Sequence, residues 1–182
     1  MIYLDNSATT KPCQEAVEAI TQSLTEGWAN PSALYNFGID AARQLRLARN
    51  KVATAMGAEP DRIFFTSGGT EADNWAIFGA AKRFGKKHKH IVTTAIEHHA
   101  VLNCMKELES QGYEVTYLQP DSAGRITTAD LKEALRPDTF LVSVMMVNNE
   151  VGSVMPIAQM AKLTHKLCHL CHLPHRCGPG FS

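Results

Sequence analysis

Phe140-Leu141-Val142-Ser143-Val144-Met145-Met146 is the most continuously apolar stretch of the sequence, and it predicts a buried strand of a parallel sheet. Shorter apolar runs at 90–94 and 113–118 precede it, and they alternate with helical patterns at 101–109 and 129–135. Such alternation is typical of right-handed β–α–β crossovers. The predicted fold class is therefore α/β, with a mainly parallel sheet between two helical layers in an αβα arrangement.

Further elements extend this pattern toward both ends of the chain. Short strands are predicted at 2–4 and 62–66, a helix ends near Phe84, and Pro156 begins a last helix. Two amphipathic helices, at 12–24 and 41–56, are predicted to turn apolar faces inward. The residues of those faces are Ala16, Val17, Ile20 and Leu24 in the first, and Leu45, Ala48, Val52, Ala53 and Met56 in the second.

Composition excludes several classes of protein. The 182 residues are 45% hydrophobic, and 18 Lys+Arg balance 18 Asp+Glu. A disordered chain is poorer in apolar residues, and a nucleic-acid-binding protein usually carries a basic excess. No apolar run reaches the ~20 residues of a membrane span. Residues 1–6 resemble no secretory signal. We therefore expect a cytoplasmic protein that binds neither nucleic acid nor membrane.

Ser67-Gly68-Gly69-Thr70-Glu71 follows a predicted strand and begins a helix. Free backbone N–H groups and the helix dipole favour an anion at such a terminus, and the Thr70 hydroxyl suits a phosphate. The segment has neither the Walker A nor the G-x-G-x-x-G spacing. The alternative is an ordinary turn that uses glycine for its geometry alone.

Two more polar clusters follow predicted strands. Glu97-His98-His99 comes after the 90–94 strand, and Asn148-Asn149-Glu150-Val151-Gly152 comes after the 140–146 strand. Ligands of open α/β sheets gather at the carboxyl ends of the strands. A solvated histidine and ordinary turn chemistry would explain the same residues separately. Together the three clusters predict one site.

These segments resemble, in order and spacing, the amino-terminal part of a cysteine desulfurase of the class V aminotransferase family. The resemblance runs from Ile2 to about Lys166. The segments that carry it are Tyr3-Leu4-Asp5-Asn6-Ser7-Ala8-Thr9-Thr10, Asn30-Pro31-Ser32, Phe65-Thr66-Ser67-Gly68-Gly69-Thr70-Glu71, Glu97-His98 and Val147-Asn148-Asn149-Glu150-Val151-Gly152.

The resemblance implies a pyridoxal-phosphate enzyme of the fold type I transferases, converting L-cysteine to L-alanine and a protein-bound persulfide. Gly69 and Thr70 would hold the cofactor phosphate. His98 would stack on the pyridine ring and transfer protons, and Asn149 would bind the ring's phenolic oxygen and the substrate. The family also implies a homodimer and a sulfur-acceptor or scaffold protein in iron–sulfur cluster assembly.

Several family features are not present in the printed sequence. The Schiff-base lysine, the nucleophilic cysteine and the aspartate that pairs with the pyridine nitrogen come later in the family, and no Ser-x-His-Lys segment occurs here. The family's Gly-Asn-Pro-Ser-Ser-x-His loop also differs at Ala29, Ala33 and Tyr35. We therefore expect a truncated domain, residues 1–167, that is inactive alone.

Residues 168–182 require a separate explanation. Cys168, Cys171, His175 and Cys177 offer soft and imidazole ligands at zinc-like spacing, so one interpretation is a non-enzymatic module that binds zinc and a phosphate ligand. The interpretation we favour is that these residues result from a frameshift in the coding sequence and bind no metal. Codons chosen for residues 173–180, read after loss of the first base, encode the family's Phe-His-Thr-Asp-Ala-Val-Gln-Gly. The isolated Cys13 and Cys104 are expected to be buried or half-buried thiols.

Overall fold

A computed structural model describes residues 2–6 and 8–167 of the protein. The described chain divides into two compact units, the first ending at Phe65 and the second comprising residues 66–167. The elements, in chain order, are α1 (Gln14–Thr25), α2 (Asn36–Met56), a 3-10 turn (Pro60–Arg62), α3 (Gly69–Phe84), β1 (His90–Thr94), α4 (His99–Ser110), β2 (Glu114–Leu118), α5 (Thr128–Ala134), β3 (Thr139–Ser143) and α6 (Ile157–Leu167).

The first unit consists of α1, α2 and the segments around them. Helix α2 begins at Asn36, earlier than the predicted residue 41. Gly38, in its first turn, is buried against the 30–33 turn, where a Cβ would lie within 3 Å of Ala33 and Asn30 atoms. Gly57 ends α2 in the left-handed conformation, with φ of 61°. The Arg49 Nε donates to the Ile63 carbonyl at 3.1 Å, which fastens the segment after the 3-10 turn to α2.

The second unit contains a parallel sheet with the order β2-β1-β3 among the described residues. All five residues of the central strand β1 are buried. Successive side chains of a strand point to opposite faces. Accordingly, Ile91 packs with one apolar cluster and Val92 with another.

Helices cover both faces of this sheet. On one face, α3 and α4 contribute Ile77 and Met105 to the cluster around Ile91. On the other face, α5 and α6 contribute Leu131 and Met160 to the cluster around Val92. The described part of the second unit is thus a three-layer αβα arrangement, which confirms the predicted fold class.

A buried imidazole links the three strands near the amino end of the sheet. His90 on β1 is 0% exposed, and its Nδ1 and Nε2 lie 2.7 Å from Thr139 Oγ1 and 2.8 Å from Thr116 Oγ1 on the flanking strands. Arg136 forms ion pairs with Glu114 at 2.6 Å and with Asp138 at 2.9 Å beside it. Burial, followed by the charge of Arg136, lowers the pKa of His90, so the neutral ring is the form that fits here.

Two predicted strands and the end of a third are wrong. Residues 2–4 and 62–66 contain no strand, because a strand requires a hydrogen-bonded neighbour and the described chain places none beside them. Strand β3 ends at Ser143 instead of Met146. The Met145 N–H donates to the Glu97 carboxylate, so it is not available to a neighbouring strand.

The predicted inward faces of α1 and α2 are largely exposed. No residue of α1 is buried, and Leu24 is 72% exposed. On α2, Ala53 is buried but Met56 is 58% exposed. An amphipathic pattern shows which face prefers to pack, whereas burial also requires a partner surface, and no described residue of this unit covers these faces.

Candidate functional site

The amino terminus of α3 is an open, glycine-lined turn. Neither Gly68, which is extended at φ 170°, nor Gly69 has the positive φ that favours glycine. A Cβ added at either position would meet no atom within 4 Å. Backbone geometry and packing therefore do not require glycine at these two positions. The effect of the glycines is to leave the first turn of a 16-residue helix accessible.

Glu71 braces this turn from inside the helix. Its Oε2 accepts hydrogen bonds from the Ser67 backbone N–H at 2.6 Å and the Ser67 hydroxyl at 2.7 Å. These bonds lower the pKa of Glu71, with the backbone bond the larger cause. Thr70, one residue before Glu71, is exposed. The carboxylate thus fixes the loop, while the Thr70 hydroxyl remains on the surface.

His98 lies just beyond the carboxyl end of β1, where it forms the N-cap of α4. Its Nδ1 accepts a hydrogen bond from the Ala100 backbone N–H at 3.1 Å. The ring is exposed, and its centroid lies 6.3 Å from that of His99. The sequence pattern predicts His98 at this edge but gives no indication of the cap, because histidine is not among the preferred capping residues.

Glu97 is a buried carboxyl group that joins the segments after β1 and β3. It is 8% exposed, and its Oε1 accepts from the Thr94 hydroxyl and from the Met145 N–H, both at 2.8 Å. Burial raises the pKa of Glu97, and the negative charge of Asp73 on α3 acts in the same direction, while the two hydrogen bonds oppose it. In the sequence, Glu97 is recognisable only as part of a motif.

Asn148 makes the second connection between the same two segments. Its Nδ2 donates to the Ile96 carbonyl at 2.9 Å, and its Oδ1 accepts from the N–H groups of Glu150 and Val151, both at 2.9 Å. The Asn148 side chain is buried, whereas Glu150 and Val151, whose N–H groups donate two of these bonds, are exposed. An asparagine followed by a glycine turn is the sequence signal for such local bonding, but it gives no indication of the bond to Ile96.

Asn149, in contrast, is exposed at the tip of this turn. Its Nδ2 donates to Glu150 Oε1 at 2.7 Å. The turn is closed by the antiparallel bridge between Val147 and Val154 and by Gly152 at φ 71°. One asparagine of the pair therefore holds the turn together, and the other is presented to the surroundings.

The three predicted segments lie at the same edge of the sheet. Hydrogen bonds from Glu97 and Asn148 join the segment that carries His98 to the segment that carries Asn149. The charge of Asp73, in the first turns of α3, acts on Glu97. At the other end of α3, the Tyr113 hydroxyl, just before β2, bonds the Ala81 carbonyl. Helix α3 consequently runs antiparallel to the strands, with Gly69 and Thr70 toward the carboxyl edge.

The remaining predictions concern thiols and metal ligands. Cys168, Cys171, His175 and Cys177 lie outside the described residues, and within the described ranges no three His, Cys, Asp or Glu side chains are grouped to hold a metal ion. Cys104 is buried, and burial raises the pKa of its thiol. The expectation for Cys13 is wrong, because its side chain is exposed at the start of α1.

The part of the chain that the structure describes holds no helix long and apolar enough to cross a membrane.

A family model and the curated relatives that match this chain point to the same family. The family model described as Aminotransferase class-V matches residues 2–173. The cysteine desulfurase IscS of Methanosarcina thermophila is 49% identical over 162 residues, which are 89% of this chain and 40% of that protein. The chain therefore spans about 40% of the length of such curated relatives.

Solved structures resemble the fold closely. One titled "NIFS-LIKE PROTEIN" superposes with a TM-score of 0.88 at 39% identity, covering 91% of this chain and 46% of that one. Another, titled "SspA in complex with cysteine", superposes with a TM-score of 0.85 at 37% identity, covering 90% of this chain and 47% of that one.

Proposed function

The chain belongs to the aminotransferase class-V family, and from that premise we propose that it forms the cofactor-binding part of a cysteine desulfurase. The reaction is the conversion of L-cysteine to L-alanine with transfer of sulfur to a protein-bound persulfide. The single observation that carries the proposal is the open glycine turn at the start of α3, which lies at the edge where His98 and Asn149 are presented.

The residues at this edge fit pyridoxal phosphate. A phosphate suits the accessible first turn of α3, where the N–H groups and helix dipole favour negative charge. The Thr70 hydroxyl adds a neutral donor, and the absence of side chains at Gly68 and Gly69 leaves room for the phosphate oxygens. When bound, pyridoxal phosphate supplies an electron-withdrawing ring that stabilises negative charge on the substrate.

His98 and Asn149 would contact the organic part of the cofactor. An imidazole held by its Nδ1 presents a flat face of fixed orientation, which suits stacking on a pyridine ring. The amide of Asn149 is exposed and suits a bond to the ring's phenolic oxygen and to the substrate. Glu97 and Asn148 would fix the spacing between these two side chains, because they join the segments that carry them.

L-cysteine would be the substrate, a homodimer the assembly, and a sulfur-acceptor or scaffold protein in iron–sulfur cluster assembly the partner. The printed sequence contains no Ser-x-His-Lys segment to supply the Schiff-base lysine. We therefore expect the 182-residue chain to release no alanine from L-cysteine when pyridoxal phosphate is added. Normal release would contradict this assignment.

Residues 1–167 are assigned to the family domain and 168–182 to a shifted reading frame. Sequencing the coding DNA from the codon of Lys162 onward tests this assignment. A one-base change that restores a frame leading to His-Thr-Asp supports it. An intact frame through Ser182 contradicts it, and the next measurement would then be the zinc content of the purified chain.

Phosphate recognition is tested by a binding experiment on the full chain. Pyridoxamine 5′-phosphate is the probe, because it lacks the aldehyde that reacts with surface lysines. We expect Thr70→Val to weaken its binding about ten-fold, since a bond to a charged acceptor is lost. Binding of pyridoxamine, which has no phosphate, should not change.

The matched control is Thr54→Val, which alters an exposed threonine of α2 in the first unit. Its binding of pyridoxamine 5′-phosphate should equal that of the unaltered chain. The proposal fails if the two threonine variants lose the same affinity, or if the phosphate adds nothing to binding.

A further inference from the structure

The capping bond of His98 determines which of its ring nitrogens carries a hydrogen. Nδ1 accepts from the Ala100 N–H at 3.1 Å, so Nδ1 must keep a free lone pair. The hydrogen of the neutral ring therefore lies on Nε2. The opposite tautomer would place two N–H donors against each other and would leave the Ala100 N–H, in a buried residue, without its acceptor.

We propose that proton uptake by the His98 ring is coupled to opening of the first turn of α4. In its resting form, the ring offers an N–H donor at Nε2 and no free basic nitrogen. A proton can be accepted only at Nδ1, and that protonation breaks the bond to Ala100. The importance of this coupling for catalysis rests on the proposed function, whereas the coupling itself does not.

The charged and titratable groups around this end of α4 are few among the described residues. His99 is adjacent, with its ring centroid 6.3 Å away at an interplanar angle of 60°. Glu97 precedes His98, and it is buried with its Oε1 bonded to Thr94 and Met145. Asp73 lies on α3, which packs against α4. The Nδ1 bond is made with the Ala100 N–H, and neither Glu97 nor Asp73 takes part in it.

For the proposed reaction, the coupling separates two roles of one side chain. The ring can stack on a planar ligand and donate from Nε2 without any change in α4. Acceptance of a substrate proton at Nδ1, in contrast, requires the bond to the Ala100 N–H to open.

Amide hydrogen exchange and NMR of the full 182-residue chain test the coupling. At neutral pH we expect the nitrogen chemical shifts to show Nδ1 unprotonated and Nε2 protonated. As the pH falls through the range of about 8 to 5, in which histidine gains charge, the exchange protection of the Ala100 amide should fall about five-fold. The amide of Asp130, capped by the Thr127 hydroxyl at 3.2 Å, is the internal reference for the same conditions.

Two variants separate the ring from the cap. Asparagine is a strong N-cap without a titrating group, so H98N should protect Ala100 equally at both ends of the pH range. H98A should lose protection by about five-fold at both. If H98A does not fold, H98N and the unaltered chain still decide the question.

The inference is overturned if Nδ1 carries the hydrogen at neutral pH, or if Ala100 and Asp130 respond identically to pH in the unaltered chain. Pyridoxamine 5′-phosphate binding is measured separately on the same samples. If the chain does not bind pyridoxamine 5′-phosphate but Ala100 protection still depends on pH, only the proposed function is contradicted. If the chain binds this probe but Ala100 protection does not depend on pH, only this inference is overturned.

Discussion

Two adjacent asparagines in one turn should respond in opposite ways to truncation. Asn148 is buried and makes three hydrogen bonds of 2.9 Å, to the Ile96 carbonyl and from the N–H groups of Glu150 and Val151. Asn149 is exposed and makes one side-chain bond, to Glu150. We expect N148A to destabilise the second unit and N149A to leave its stability nearly unchanged.

The magnitude follows from those bonds. A net contribution of about 1 kcal/mol for each bond gives about 3 kcal/mol for Asn148. Glu150 and Val151 are exposed, so water replaces part of what their N–H groups lose. The expected loss of unfolding free energy for N148A is therefore about 2 kcal/mol. For N149A it is within about 0.5 kcal/mol, as for other exposed positions.

Urea unfolding followed by tryptophan fluorescence measures this difference. In a Trp28→Phe background, Trp75 on α3 is the tryptophan that reports the second unit. With a slope of about 2 kcal/mol per molar urea, N148A should lower the midpoint by about 1 M. N149A should weaken pyridoxamine 5′-phosphate binding at an unchanged midpoint. Equal midpoints for the two variants, or a midpoint of N148A equal to that of the background, would refute the reasoning.

Three further predictions concern stability. The folded-state pKa of His90 lies below its ordinary value of 6.5, so below that pH the unfolded chain binds more protons than the folded chain. Stability should therefore fall as the pH drops through 6.5, and H90N should flatten this part of a plot of urea midpoint against pH. E97A should lower the free energy of unfolding by about 2 kcal/mol, because it leaves the Met145 N–H unpaired. E97Q keeps an acceptor and avoids burying a charge, so calorimetry at pH 7 should find this variant no less stable than the unaltered chain. G124A should be more destabilising than G112A in thermal unfolding. Both glycines have positive φ, but only at Gly124 would a Cβ lie 2.9 Å from Val151 Cγ2. Equal effects of the two variants would mean that backbone strain alone matters.

Local sequence patterns were sufficient for much of the fold. The apolar run at 90–94 is a strand over the predicted residues, and the helix at 101–109 lies within α4. Both signals are periodic and local, so they are readable without knowledge of the partner surface. The strands at 2–4 and 62–66 failed for the complementary reason, because pairing depends on a neighbouring strand.

The candidate site divides in the same way. The sequence determined that polar clusters follow β1 and β3, that a glycine turn begins α3, and that these belong to one edge of an α/β sheet, because parallel strands place their carboxyl ends together. Only the tertiary structure decided that Glu97 and Asn148 join the segments after β1 and β3. The Glu97–Met145 bond connects residues 48 positions apart, so it exists only in the folded register of β1 and β3. A hydrogen bond between such distant residues depends on which segments pack against each other in the folded chain, and no local sequence pattern contains that information.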